Sequence, residues 1–385
     1  MKAAVLEDIK KMAVQTIPDP EVPSREVLIR VRAVGVCGTD LHLFQGHGNY
    51  NFDAQGHPIP LTVQPQILGH EFSGEIVEVG REVRDLKAGD RVLCDQGRNC
   101  LSHGRQPVCP YCASGDSHQC QFYGEHGITG LQGAMAEYIA MPAVNCLKLN
   151  KGMSFEQGAL VEPLGCITHS SDRVDRSSSR YTLDGSTGHS RGSERVRNVL
   201  VFGAGPAGLL FLQYLRGVKR FDGLILVVDL REQNLKWVEH FGGTPLNAAK
   251  VGLEEAVEDL TRGERIDYLI EACGNAGVLK YIPSVLRKQG TVLIYGAGHK
   301  GHDISLLDPI LFLEPTFVVG IGASGGFEAD GRPTTYRRSL ELISSGRIQT
   351  LPFLTHRYGA LEEIRKAFEV DFTREDYIKG VLNLQ

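Results

Sequence analysis

Val199-Leu200-Val201-Phe202 runs directly into Gly203-Ala204-Gly205-Pro206-Ala207-Gly208, and Leu209-Leu210-Phe211-Leu212 follow. The apolar run reads as a buried strand, the glycines as a turn that lets backbone approach a pyrophosphate, and the leucines as a helix whose N-terminus faces the phosphates. A glycine fingerprint alone is weak evidence. Here the apolar stretch 224–229 ends on Asp229, about 20 residues past the glycines, where a carboxylate accepts hydrogen bonds from both hydroxyls of an adenosine ribose. Gly203, Gly205, Pro206, Ala207, Gly208 and Asp229 are therefore candidate dinucleotide-binding residues. A carboxylate there repels a 2′-phosphate, so NAD is preferred over NADP. Arg231, just beyond, would pair with such a phosphate and argues the other way.

Working outward, apolar segments at 198–202, 224–229, 268–271, 291–295 and 316–320 alternate with helical ones, the pattern of a parallel sheet covered on both faces. The first 160 or so residues read differently. Alternation in Glu26-Val27-Leu28-Ile29-Arg30-Val31-Arg32-Ala33-Val34 and in Glu75-Ile76-Val77-Glu78-Val79, with Gly and Pro between, predicts a β-rich, barrel-like domain. The fold class is α/β, with expected segments of 1–169 (β-rich catalytic domain), 170–197 (a Ser/Arg/Gly-rich insertion, read as a solvated loop), 198–322 (doubly wound domain) and 323–385. Helices are expected near 335–344 and 361–368, with a terminal strand.

Composition is ordinary for two globular domains: 385 residues, 42% hydrophobic and 23% charged. A net charge of −5 without a basic run gives no reason to expect nucleic acid or an anionic membrane as partner. The N-terminus is too short and too quickly charged for a signal peptide, and no apolar run is long enough to cross a bilayer; a cytoplasmic location is expected. Nine cysteines in such a chain point to metal or reduced thiols rather than disulfides. Cys94, Cys146 and Cys273 lie in apolar surroundings and read as small core residues.

The chemistry is concentrated in three places. Cys37-Gly38-Thr39-Asp40-Leu41-His42, Gly69-His70-Glu71 and Val161-Glu162-Pro163-Leu164 supply thiolate, imidazole and carboxylate, the side chains that bind Zn²⁺. A catalytic zinc keeps one position open. Pro163 disfavours helical geometry at Glu162 and places its carboxylate at the start of a helix. A separate group, Cys100, Cys109, Cys112 and Cys120, falls in one glycine-rich polar segment and reads as a tetrathiolate lobe.

On these motifs the chain resembles the zinc-dependent medium-chain alcohol/polyol dehydrogenases, which include sorbitol, threonine and glucose dehydrogenases. The Cys-x-Ser/Thr-Asp-x-His pattern is met at every specified position. The resemblance implies a GroES-like catalytic domain joined to a Rossmann domain, with the C-terminal residues packing back onto the former. It implies a catalytic zinc held by Cys37 and His70, with Glu71 and Glu162 beside it directly or through water. Asp40 would accept a hydrogen bond from His70, and Thr39 would take the substrate proton and pass it towards His42 and water. In the structural-zinc pattern Cys-x₂-Cys-x₂-Cys-x₇-Cys, Cys109, Cys112 and Cys120 fit the last three positions. The first falls on Gln106, so either Cys100 completes the site or that zinc is absent. The loop 46–66, with His47, Asn49, Tyr50, Asp53 and His57, would border the substrate.

Glu162-Pro163-Leu164 matches the sorbitol- and threonine-type branches, where the ethanol type has cysteine. A polyol, sugar or other alcohol is the implied small-molecule partner, with a secondary alcohol oxidised to the carbonyl. Threonine 3-dehydrogenase and general alcohol dehydrogenase activities are the alternatives within the family. A zinc-free reductase would lack the Cys37, His70 and Glu162 set, and a non-catalytic relative would be expected to lose part of it. A homodimer or homotetramer is expected.

Overall fold

The computed structural model describes every residue except 178–180, 183–193, 298–307 and 324. The chain forms two compact units, one of Met1–Cys166 with Gly322–Gly346 and Thr350–Gln385, the other of Ile167–Ile321 with Arg347–Gln349.

In the first unit the strand Glu26–Val36 is the hub of a seven-stranded sheet, with Glu71–Val79 on one side and Lys379–Asn383 on the other, both antiparallel to it. Alternation buries Val27, Ile29 and Val31 against a core that includes Phe72, Ile76, Met135 and Phe368. The register places Gly35 opposite Glu71 and Val36 opposite Gly380. Three strands therefore deliver Cys37, Glu71 and Lys379 to one end of the sheet, although Glu71 and Lys379 lie 308 residues apart in the chain.

The second unit is a six-stranded sheet in the order Thr244–Asn247, Leu224–Asp229, Asn198–Phe202, Ile266–Glu271, Leu286–Ile294 and Thr316–Val319. Every pairing is parallel. This is the doubly wound arrangement expected from the apolar runs. The strand Thr244–Asn247 was not foreseen: it has four residues, contains Pro245 and sits at the sheet edge, where a missing N–H is tolerated.

Three local expectations are corrected. Glu162 is helical, inside the first turn of Val161–Arg176, because the first turn has no donor for a proline to remove and tolerates Pro163. The supposed insertion begins as helix too. Leu164, Ile167, Ser170, Ser171 and Val174 are buried along one face of Val161–Arg176, so 170–176 is packed and not a solvated loop. Beyond it Tyr181–Thr182 pairs with Glu194–Arg195, Val196 is buried, and 178–180 and 183–193 lie outside the described residues. Cys94 and Cys146 are buried across two paired strands, whereas Cys273 is exposed just past the end of Ile266–Glu271. No helix among the described residues is long and apolar enough to cross a membrane.

Candidate active site

Cys37 caps the helix Gly38–Gln45, immediately after the hub strand. Asp40, fully buried in the first turn of that helix, ties the neighbourhood together: one carboxylate oxygen accepts from the backbone N–H of Cys37 at 2.9 Å, the other from that of Gly69 at 3.2 Å. His70 Nδ1 approaches the same Asp40 Oδ1 at 3.3 Å. That approach is an ionic contact without hydrogen-bond alignment, leaving Nδ1 buried without an aligned partner. Gly69 has φ +91° and faces Val34 and Met135 so closely that a Cβ would fall 2.8 Å from the valine, which explains why glycine precedes His70.

One ligand atom each from Cys37, His70 and Glu71 lies within 4.8 Å of the others. A soft thiolate, an imidazole and a carboxylate at that separation fit a borderline cation with one open position. One further feature fits a metal: the buried Glu71 Oε2 finds no hydrogen-bond partner among the described residues. Burial works against a charged His70, but Asp40 and the Cys37 sulfur outweigh it and raise the imidazole well above its ordinary range.

Glu162 stands next to this set without belonging to it. Its Oε1 accepts from Gln96 Nε2 at 3.1 Å and from the Cys166 thiol at 3.4 Å. Burial first, offset by His70 and reinforced by Glu71, pushes its carboxyl up to about 7. Gln96 accepts in turn from the Tyr336 hydroxyl and also reaches Glu125 at 3.3 Å. Cys166 thus serves Glu162 as a donor. Gln96, Glu125, Tyr336 and Lys379 carried no motif in the sequence; each comes to the site from a different segment.

Thr39 and His42 are half-buried on the helix Gly38–Gln45, and the His42 ring lies 6.0 Å from that of His47. In the loop 46–66, Asn49 donates to Ile59 O at 2.7 Å and Asp53 accepts from the backbone of Gln55 and His57. Those polar groups hold the loop's own shape. Tyr50 remains exposed.

The four thiols at Cys100, Cys109, Cys112 and Cys120 are buried, with their sulfurs within 4.8 Å of one another, while Gln106 is exposed and outside the group. Cys120 lies 3.7 Å from Cys100 and 3.8 Å from Cys109. Backbone N–H groups of Cys109 and Phe122 donate to Cys100 and Cys120 at 3.3 Å. Burial raises the Cys109 thiol, but amides of Cys112 and Gln121 and neighbouring thiols outweigh it and bring it down to about 6, whereas burial drives Cys112 far up. Four equivalent sulfurs with no open side fit a closed tetrahedral metal site.

In the second unit Gly203 has φ +102°, and a Cβ on Gly208 would fall 1.8 Å from Gly203 O, so the turn closes onto its helix only with glycine there. A Cβ on Gly205, at the cap of Pro206–Gly217, would meet open space, the room a pyrophosphate would fill. Asp229 is anchored under the turn: Oδ2 accepts from Ala204 N at 2.8 Å, and Oδ1 from the N–H groups of Leu230 and Arg231. The Arg231 side chain turns back on Asp229 at 3.5 Å.

Residues 23–151 match the alcohol dehydrogenase GroES-like domain and residues 206–345 the zinc-binding dehydrogenase family. A sorbitol dehydrogenase of Arabidopsis thaliana is 29% identical over 99% of this chain and 95% of its own. An L-threonine 3-dehydrogenase of Bacillus licheniformis is 30% identical over 92% and 91%. Among solved structures, an Escherichia coli oxidoreductase/dehydrogenase of unknown specificity superposes with a TM-score of 0.81, at 28% identity, covering 100% of this chain and 99% of that one.

Proposed function

We propose, for a chain that belongs to the zinc-dependent medium-chain alcohol/polyol dehydrogenase family, that it oxidises a secondary alcohol of a polyol or sugar with NAD as the preferred acceptor. It is an oxidoreductase of the alcohol dehydrogenase type. The observation that carries the finer reading is the donor set of Cys37, His70 and Glu71 with Glu162, and not a second thiolate, next to it. The sorbitol dehydrogenase relative supports a polyol. The loop 46–66 supports it less than its composition suggests, because Asn49 and Asp53 are engaged within the loop.

Cys37, His70 and Glu71 would hold the catalytic zinc, with Glu162 reaching it through water; Cys100, Cys109, Cys112 and Cys120 would hold a second. A zinc held there would supply the Lewis acidity that makes a substrate hydroxyl acidic near neutral pH, and a bound nicotinamide would supply a hydride acceptor. The protein moves the proton. Thr39 accepts it from the hydroxyl, and His42 delivers it to water, a role for which imidazole is the usual side chain. Asp40 keeps Cys37 and His70 in register by bonding the backbone beside both. Gly203, Gly205, Pro206, Ala207 and Gly208 would cradle the pyrophosphate, and Asp229 would bind the ribose. Arg231, paired with Asp229, would line the same subsite and is not offered freely to a 2′-phosphate. A cytoplasmic homo-oligomer is the proposed setting.

The test is a panel of polyols, aldoses, simple alcohols and threonine with NAD and NADP, followed by nicotinamide absorbance. Oxidation of a polyol or sugar with the highest kcat/KM supports the reading; preference for threonine or a simple alcohol moves the chain to another branch, and no oxidation at all overturns it.

A further inference from the structure

We propose that Lys379 is a positioning residue for the candidate metal site, holding Glu71 in the donor set through a buried ion pair; this rests on the dehydrogenase reading above. Lys379 Nζ donates to Glu71 Oε1 at 2.6 Å, and the two side chains are only 4% and 1% exposed. Removing an ammonium and a carboxylate from water is costly for each, a cost repaid only when geometry is good and the groups stay paired.

The geometry comes from the sheet. Lys379 is the first residue of the strand Lys379–Asn383, and pairing of Gly380 with Val36 sets it opposite the Cys37 end of the hub strand. Glu71 begins the strand on the other side of the hub, opposite Gly35. The carboxylate is therefore gripped from two directions. Nζ holds Oε1, while Oε2 lies over Gly35, where a Cβ would come within 2.0 Å of it. Among the described residues no donor reaches Oε2. With the ion pair intact, Glu71 already lies within 4.8 Å of the Cys37 and His70 ligand atoms. The ammonium thus fixes the carboxylate where a cation would need it. Glu162 makes the contrast: its partners, Gln96 and Cys166, are neutral donors, and it lies outside the grouped donors.

Without Lys379 the Glu71 carboxylate loses its fixed partner, so the donor set loosens. In K379M, zinc should pass to a chelator about 10–100-fold faster than in the wild type, the scale seen for partners that orient metal ligands. The cobalt-substituted protein should show altered visible absorption, a readout that a purely structural role in the sheet would leave alone. E71Q should behave similarly, and E71Q/K379M should fall within about threefold of E71Q, because the lysine then has no carboxylate to act on. If K379M does not fold, E71Q/K379M decides: a folded protein resembling E71Q supports action through Glu71, and an unfolded one overturns it. A folded K379M with wild-type cobalt spectrum and zinc retention also overturns it. Failure of the functional reading looks different, namely a wild type that binds no zinc and oxidises no alcohol.

Discussion

The two candidate metal centres in the first unit are built in opposite ways. The thiol lobe takes four like donors from a single stretch, Cys100 to Cys120, buries them all, and closes around them with backbone N–H groups. The site at Cys37, His70 and Glu71 takes three unlike donors from two strand ends and is supported by Asp40 on the adjoining helix and by Lys379, which comes from the far end of the chain. A local, symmetric, sealed group suits a metal that stabilises; a distributed group with an incomplete shell suits a metal that reacts. The contrast yields experiments that each strike one side.

The largest effect is expected from Cys37→Ser or His70→Ala. Either should bring activity to background and remove one zinc per chain by elemental analysis, while apparent Tm changes little. Full activity in a metal-free preparation would break the assignment. Within the same site, Thr39→Ala should keep its zinc yet lose roughly 10²–10⁴-fold in kcat, the span of general-base assistance. A Thr39→Ala enzyme of normal rate would mean that the proton leaves by another path, with Glu71 or Glu162 next to be tried.

Cys112→Ser strikes the other side. It should also lower zinc by one per chain, but the loss should appear as an apparent Tm lower by about 5–10 °C at fixed scan rate, with most kcat retained at low temperature. Equal thermal stability in mutant and wild type would show an empty lobe, and the contrast would then be between a metal site and four reduced thiols.

Sequence reading served these regions unequally, for a physical reason. The glycine turn, its strand and its helix are contiguous, and the turn chemistry that requires glycine at Gly203 and Gly208 is local. The strands of the parallel sheet were legible as apolar runs, except Thr244–Asn247, too short and too polar to stand out. The grouping of Cys37 with His70 depends on a motif; without one, nothing in residues 37–70 announces that Asp40 binds the backbone of both Cys37 and Gly69. Lys379 was invisible because a lysine near a C-terminus reads as solvated, and only strand pairing with Glu26–Val36 buries it against Glu71. Helical geometry at Glu162 is hidden in the sequence because the restriction that proline places on the preceding residue is relaxed in a first turn.

A control that should touch neither metal is Asp229→Ser in the second unit. Losing a charge-assisted hydrogen bond costs about 1.5–3 kcal/mol, so KM for NAD should rise roughly 10–100-fold with zinc content unchanged. The same change frees Arg231 from its carboxylate and should improve relative use of NADP. If the wild type already prefers NADP, Arg231 is the dominant group and Asp229 only supports the turn through Ala204.

The smallest effect separates proton relay from metal binding within the open site. His42 lies on the helix that Cys37 caps, so a ligand role and a relay role are both sterically conceivable, yet its ring atoms are absent from the grouped donors. As a relay it hands a proton to solvent, and water can do the same less efficiently. His47 is near as well, with its ring centroid 6.0 Å from that of His42. His42→Ala should therefore keep zinc and NAD affinity and lose only about tenfold in kcat, less than the roughly 10²–10⁴-fold of full general-base assistance because water takes over the last transfer. The loss should be greatest at low pH, where hydroxide is scarcest and an internal base matters most. His42→Ala/His47→Ala should lose more than either single change if the second imidazole substitutes for the first. Loss of zinc from His42→Ala would place His42 among the ligands and would require the open position to be counted again.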